Sequence, residues 1–300
     1  LPVQGRSPLS NSGSHDLSVV IWGDGAVGTG IAVALSSERR VVLVGPPGSG
    51  RGPARIESLG AYPGTAQILR TEPDDRPRGD ACIVAVKSYD LREVSLGAEA
   101  SSDAHCICLS NGMGLEAEWG SGWAGRVEPA LLTAGFRLVS PFTVATTRGT
   151  IIVRSDGSAE ALFSGTPIPV EPTAELEAAR WGKWLANSVI NPLGALTGLP
   201  NDRLLDAGLG PLIDNLATEL AAVVPSEMRE AAAACSDRML AFLLESSPNM
   251  CSMLQDLEAG RKSEIGNLTG LCEVLEPGSC PTAELLTALV RARENSVRGR

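Results

Sequence analysis

The segment that most constrains this chain is a β-prone run, Ser18-Val-Val-Ile-Trp22, that passes through Gly23-Asp24-Gly25-Ala26-Val27-Gly28 into the small-residue stretch Thr29 to Ser36. Each glycine of such a turn has its own task. Gly23 permits a tight bend, Gly25 lets backbone approach a pyrophosphate, and Gly28 lets a helix lie close on the strand. The helix N-terminus then presents unpaired amides to the anion. Three glycines alone could form an ordinary turn. A strand before, a helix after and a second strand at Val41 to Val44 supply the context that a dinucleotide-binding unit needs. The segment Gly23, Asp24, Gly25, Ala26, Val27 and Gly28 is therefore expected to bind a cofactor.

Further short β-rich runs follow at Ala81 to Val86 and His105 to Leu109, then at Ala130 to Thr133, Thr150 to Val153 and Ala161 to Phe163. Their alternation with helical or loop segments predicts an α/β domain with a parallel sheet, whose ligands sit at the C-terminal ends of the strands. After Pro167, Pro169 and Pro172 the text becomes rich in Ala, Leu and Glu with apolar residues three and four apart, broken by Pro200, Pro211, Pro225, Pro248 and Pro281. That predicts a bundle of helices. The expected organisation is a leader over residues 1–15, a Rossmann-type dinucleotide-binding domain over 16–170 and an all-α substrate domain over 171–300. The leader is rich in Ser, Gly, Asn and Pro without hydrophobic periodicity.

The formal charge is −10 and no basic run is long enough to form a continuous positive surface, which argues against nucleic acid or an anionic membrane as partner. No apolar stretch approaches the roughly 18 residues of a membrane span and no secretory pattern opens the chain, so a cytoplasmic protein is expected. Seven cysteines occur without a CxxC pair, and the two histidines, His15 and His105, lie far apart. Neither a metal site nor a disulfide framework is expected. Cys106 and Cys108 share one face of a strand and read as core thiols.

An NAD site ends its second strand with an acid that binds the ribose hydroxyls. Here the strand ends Val44-Gly45-Pro46-Pro47, and no acid follows until Glu57. NADP rather than NAD is therefore the expected cofactor, with Arg51 as the first basic group available to the extra phosphate and Arg55 behind it. A flexible turn with a merely solvated Arg51 is the competing reading.

Four further places carry chemistry. Lys183, Asn187 and Asn191 are spaced by four and stack along one helix face, among apolar Trp181, Trp184, Leu185, Val189 and Ile190. Partial burial there lowers the lysine pKa and makes it a better proton donor. Pro192 should end or kink the helix at Asn191. Ser252-Met-Leu-Gln255 reads as a capping box, and equally as an N-terminal carboxylate site. Glu264 is either an ordinary first-turn acid or a functional one. Lys87 and Asn111 close successive apolar strands at the rim where ligands bind.

These blocks, in order, resemble the ketopantoate reductases. The likeness runs from about Val19 to Gly270 and rests on the glycine turn, Val86-Lys87, Asn111-Gly-Met-Gly114, Lys183-Trp-Leu-Ala-Asn187-Ser-Val-Ile-Asn191-Pro192 and Asn249-Met-Cys-Ser252-Met-Leu-Gln-Asp256 leading to Ser263-Glu264-Ile. The resemblance implies a helical domain like that of 6-phosphogluconate dehydrogenase and the reduction of 2-dehydropantoate to pantoate, a step of pantothenate and coenzyme A synthesis. It implies Lys183 and Glu264 as catalytic residues. Asn111, Asn187, Asn191, Asn201, Asn249 and Ser252 would bind the small 2-keto acid, while Lys87, Asn111 and Glu264 would also face the cofactor. Substrate would lie between the domains. The arginine common in the family just after the second strand is replaced here by Gly45-Pro46. Another 2-keto or 3-hydroxy acid, or a non-catalytic nicotinamide sensor, are the alternatives. Helical domains of this kind often pair as homodimers, although no heptad seam is visible.

Overall fold

The computed structural model describes residues 17–94, 105–115, 127–155, 157–246 and 249–298. The leader expected over residues 1–15, His15 included, lies outside them. The chain forms two compact units: Leu1–Ser110 with Leu115–Leu176, and Asn111–Gly114 with Glu177–Arg300.

The first unit is built on β-branched runs too apolar to face water. Strands β1 (Ser18–Trp22), β2 (Arg40–Val44), β5 (Ala81–Val84), β6 (His105–Cys108) and β7 (Val127–Pro129) lie parallel in the order β7-β6-β5-β1-β2. Val20 pairs with Val42 on one side and Cys82 on the other, and β1 is buried along Val19–Trp22. Helix α1 (Ala26–Leu35) follows the glycine turn and is buried from Gly28 to Leu35. Gly28, Thr29, Gly30 and the alanines keep the bulk low enough for close approach to the sheet, while Ile31 and Leu35 fill the core.

Beyond β2 the sheet continues through an antiparallel hairpin, β3 (Gly52–Gly60) and β4 (Gly64–Thr71), then β10 (Thr143–Thr146) and β9 (Phe136–Ser140), giving nine strands among the described residues. A second sheet orders β12 (Val170–Thr173), β11 (Ile151–Arg154) and β8 (Leu131–Leu132).

The second unit is helical: α3 (Leu176–Thr197), α4 (Gly210–Ala221), α5 (Arg229–Ser246), α6 (Ser252–Glu258), α7 (Cys272–Leu275) and α8 (Pro281–Arg298), with α2 (Ala159–Phe163) belonging to the first unit. Its core gathers Trp184, Leu185, Val189, Ile190 and Leu193 of α3 with Leu216 and Leu220 of α4, Leu254 and Leu257 of α6 and Val290 of α8. Met113 joins that core from the segment contributed by the first half of the chain. The Rossmann-type sheet and the helical second half are the architecture expected from the sequence.

Four local expectations are corrected. The strand expected at Ala161 to Phe163 is helix α2, where Ala159, Leu162 and Phe163 are buried at helical spacing and Glu160 stands in the first turn. The single strand expected over Ala130 to Thr133 is divided, since Pro129 ends β7 in one sheet and Leu131 starts β8 in the other. Of the end or kink expected at Asn191, the end does not occur, since helix α3 carries Pro192 inside it and runs on to Thr197. Proline removes one amide, and the packing of this helix on both sides outweighs that loss. The cap of α6 is Cys251, whose sulfur accepts from the Leu254 amide; Ser252 is the first helical residue, and Gln255 reaches back to the Met250 carbonyl instead.

Candidate active site

In the first unit the turn after β1 is shaped by close approach. Gly23 has φ of 109°, and a Cβ there would lie 2.8 Å from the Ala85 carbonyl oxygen. A Cβ on Gly28 would stand 1.8 Å from the Gly23 carbonyl oxygen, so no side chain is admitted. By contrast nothing lies within 4 Å of the Cβ position of Gly25, the N-cap of α1, which offers no side-chain cap to the first amides. Open space over uncapped helix amides is what a pyrophosphate requires, so the turn fits a dinucleotide. Asp24 is anchored at its backbone, where the carbonyl accepts from the Thr29 hydroxyl at 3.0 Å.

Arg51 is half-exposed and engaged: its guanidinium pairs with Glu72 at 3.0 Å and with Asp75 at 2.8 Å. The Thr71 hydroxyl, the Glu72 amide and Arg51 together hold the Asp75 carboxyl down to about 2. Lys87 lies beyond the end of β5, partly buried, as the N-cap of a single 3-10 turn at Ser88–Asp90. The strand expected to reach Val86 stops at Val84.

In the helical unit one hollow, of about 290 Å³ and partly open to solvent, is lined by Asn111, Asn187, Asn191, Ser252 and Glu264. Asn187 and Asn191 come from α3, one turn apart. Lys183, one turn earlier, donates from Nζ to Asn111 Oδ1 at 2.7 Å. Burial lowers the Lys183 pKa from 10.5 to about 8, against the opposing pull of the Glu264 charge. At neutral pH the ammonium is therefore still charged but gives up its proton more readily than a solvated lysine.

Glu264 is held by its neighbours. Ser263 donates from both its amide (3.0 Å) and its hydroxyl (2.8 Å) to Glu294 Oε2 on α8. On the other side the Asn267 amide donates to the Glu264 carbonyl at 3.0 Å, and the Asn267 carbonyl accepts from Trp184 Nε1 at 3.1 Å. Trp184 itself meets Trp181 edge-on, ring centroids 5.2 Å apart. Beneath Asn191, the Cys251 thiol donates to the Asn191 carbonyl at 3.5 Å, and burial pushes that thiol up to about 11, so it remains a neutral donor.

Asn201 and Asn249 do not line this hollow. They meet each other, the Asn201 amide donating to the Asn249 carbonyl at 3.1 Å, and Asn201 Oδ1 is buried without a partner among the described residues. Met253, Asp256, Asn267 and Leu268 line the hollow although sequence reasoning assigned them nothing. Spacing could have found two of them. Asp256 is one helical turn after Ser252, and Asn267 one 3-10 turn after Glu264. Asp256 is tied to Arg261 Nε at 3.0 Å. The hollow thus offers amides, a hydroxyl and a lysine-bound amide beside the Asp256 and Glu264 carboxylates, with Met253 and Leu268 as its apolar wall.

Residues 175–294 match the family model described as ketopantoate reductase PanE/ApbA C terminal. The 2-dehydropantoate 2-reductase of Halobacterium salinarum is 28% identical over 273 residues, covering 85% of this chain and 90% of that protein. Among solved structures, a PanE/ApbA family ketopantoate reductase from Ralstonia eutropha superposes with a TM-score of 0.75 at 24% identity over 94% of this chain and all of that one. D-mandelate dehydrogenase with NADH and anilino(oxo)acetate has the same fold, with a TM-score of 0.78 at 19% identity over 94% of this chain and 99% of that one. The chain is thus similar to the ketopantoate reductases over most of its length, and its residues 175–294 match the model of that family's C-terminal part.

Proposed function

We propose that this protein is an oxidoreductase that reduces 2-dehydropantoate to pantoate with a reduced nicotinamide dinucleotide. The observation that carries the reading is the desolvated Lys183 ammonium, bound to Asn111 and stabilised by the charge of Glu264, beside a hollow walled by Asn187, Asn191 and Ser252. The bound cofactor supplies a hydride to the C2 carbonyl carbon. Lys183 gives its proton to the C2 oxygen as that oxygen gains charge, and Asn111 holds the ammonium in line. Glu264 keeps Lys183 charged, while Ser252, Asn187 and Asn191 bind the carboxylate and hydroxyl of the substrate. Asn201 and Asn249, outside the hollow, support the chain segments on which Ser252 stands. Such an enzyme acts at the pantoate step of pantothenate synthesis, in the cytoplasm.

The dinucleotide itself divides the reading. NADPH is the form expected from a strand end without an acid, and Arg51 is its proposed phosphate group. Arg51 is committed to Glu72 and Asp75, so a phosphate there must displace two carboxylates. NADH is the form that these charges favour.

The test is ketopantoate-dependent loss of reduced-nicotinamide absorbance, run with NADH and NADPH and with a panel of other 2-keto acids. Turnover strongest with ketopantoate supports the reading. Turnover confined to another keto acid would move the substrate, and none with any acid despite dinucleotide binding would make the protein a sensor.

A further inference from the structure

We infer that Asp24 is the ribose-binding carboxylate of the cofactor site, supplied from the glycine turn in place of the acid missing at the end of β2, and that Arg70 positions it. The inference rests on the nicotinamide-binding reading above and deepens it by naming the residues that choose the dinucleotide.

Gly45 directly follows the last residue of β2, where an NAD site carries its acid. A Cβ built on Gly45 would lie 2.4 Å from Asp24 Oδ2 and 2.9 Å from Asp24 Cγ. The Asp24 carboxylate therefore stands against the backbone at position 45, in the space where a side chain there would begin.

Its orientation is fixed. Arg70, near the end of β4 and next to β2 in the sheet, donates from one terminal nitrogen to Asp24 Oδ2 at 2.7 Å and from the other to the Ser49 carbonyl at 2.9 Å. The Arg70 side chain is 9% exposed, and its guanidinium lies 4.6 Å over the Phe142 ring. With Oδ2 so held, Asp24 Oδ1 makes no hydrogen bond among the described residues, and the side chain is 22% exposed. One oxygen is locked, and the other is left able to accept from a ribose hydroxyl.

An orphan atom marks the same spot. Ser49 Oγ is out of water without a partner among the described residues, and it lies 2.3 Å from the Cβ position of Gly45. A buried hydroxyl left unpaired is costly, and a ribose hydroxyl beside Asp24 would satisfy it. The local charges agree: Arg70 is spent on Asp24, and Arg51 on Glu72 and Asp75. A 2′-phosphate would meet the Asp24 carboxylate directly, as like charges at close range.

The experiment is calorimetric titration of the full chain with ADP-ribose and with 2′-phospho-ADP-ribose, which carry the ribose end of the cofactor without nicotinamide and give no turnover. ADP-ribose should bind at least about tenfold more tightly. Asp24→Asn should weaken it by about tenfold to a hundredfold, the loss expected for a hydrogen bond to a charged group, and erase the preference. Asp24→Ala combined with Gly45→Asp should restore both, a rescue that a merely structural Asp24 could not give. Tighter binding of the 2′-phospho ligand, with that preference lost in Arg70→Leu, would overturn the inference and make Arg70 a phosphate ligand. So would an Asp24→Asn affinity within about twofold of the parent. Binding of neither ligand to the parent would overturn the nicotinamide reading itself.

Discussion

Replacing Lys183 with methionine separates catalysis from stability, because the two effects come from different properties of one ammonium. Holding Lys183 charged with a pKa of about 8 rather than 10.5 costs the folded protein about 3 kcal/mol at neutral pH, at roughly 1.4 kcal/mol per unit. Methionine has nearly the same reach and removes that cost. It also removes the 2.7 Å bond to Asn111, a charge-assisted contact worth about 1.5–3 kcal/mol. The two changes nearly cancel, so Lys183→Met should unfold within about 1.5 kcal/mol of the parent in urea. Turnover should nonetheless fall by about 10² to 10⁴, the usual share of a positioned acid. The stability difference should also move with pH in a defined direction. Below pH 8 both folded and unfolded lysines are charged and the penalty is complete; between about 8 and 10.5 the folded lysine sheds its proton first and the parent gains on the variant. Urea unfolding at neutral and alkaline pH, with steady-state kinetics on the same samples, measures all of this. Turnover within about tenfold of the parent would refute the assignment of Lys183 as the acid. A variant less stable by about 4 kcal/mol would show that its contacts, rather than its proton, matter most.

Three further outcomes follow from the same geometry. The rate of keto-acid reduction should decline as pH rises through about 8, and the reverse oxidation should climb there, because the lysine must be charged in one direction and neutral in the other; pH profiles run in both directions check this. Glu294→Ala should cost about 1–3 kcal/mol in a thermal or urea melt and lower kcat about tenfold with a smaller change in KM, since it frees the Ser263 amide and hydroxyl beside Glu264; an unchanged kcat would show that Glu264 needs no such support. Gly28→Ala should abolish dinucleotide binding by calorimetry, because its Cβ would stand 1.8 Å from a backbone oxygen; retained binding would contradict the geometry of the turn.

The parts legible in the sequence are those in which one local rule governs. The glycine turn has a strand and a helix at fixed offsets, and α3 places Lys183, Asn187 and Asn191 by period alone. The β3–β4 hairpin was not read, because only Ile56 and Ile68 among its strand centres reach full burial and most of its other side chains face water. Ala161 to Phe163 was read as β because three apolar residues in a row carry no period; burial of Ala159 with Leu162 and Phe163 supplies it. The Cys251 cap was hidden by the serine beside it, a better capping residue by statistics but one position too late. Asp24 was legible as part of the turn, yet its place over Gly45 depends on Arg70, forty-six positions away in sequence, and no local pattern reports such a meeting.

The short segment Asn111–Gly114 belongs with the helices although the chain around it builds the sheet. It brings Met113 to the helical core and Asn111 to Lys183. The helical unit is thus discontinuous in sequence, and a protein cut at Leu176 would separate the lysine from its acceptor. The C-terminal fragment would keep every helix from α3 onward except its first residue, and would still have a gap in its core and an ammonium without its Asn111 acceptor. Swapping this unit between relatives at a single crossover would carry the same defect, so a functional exchange has to move four residues from the middle of the first half along with it.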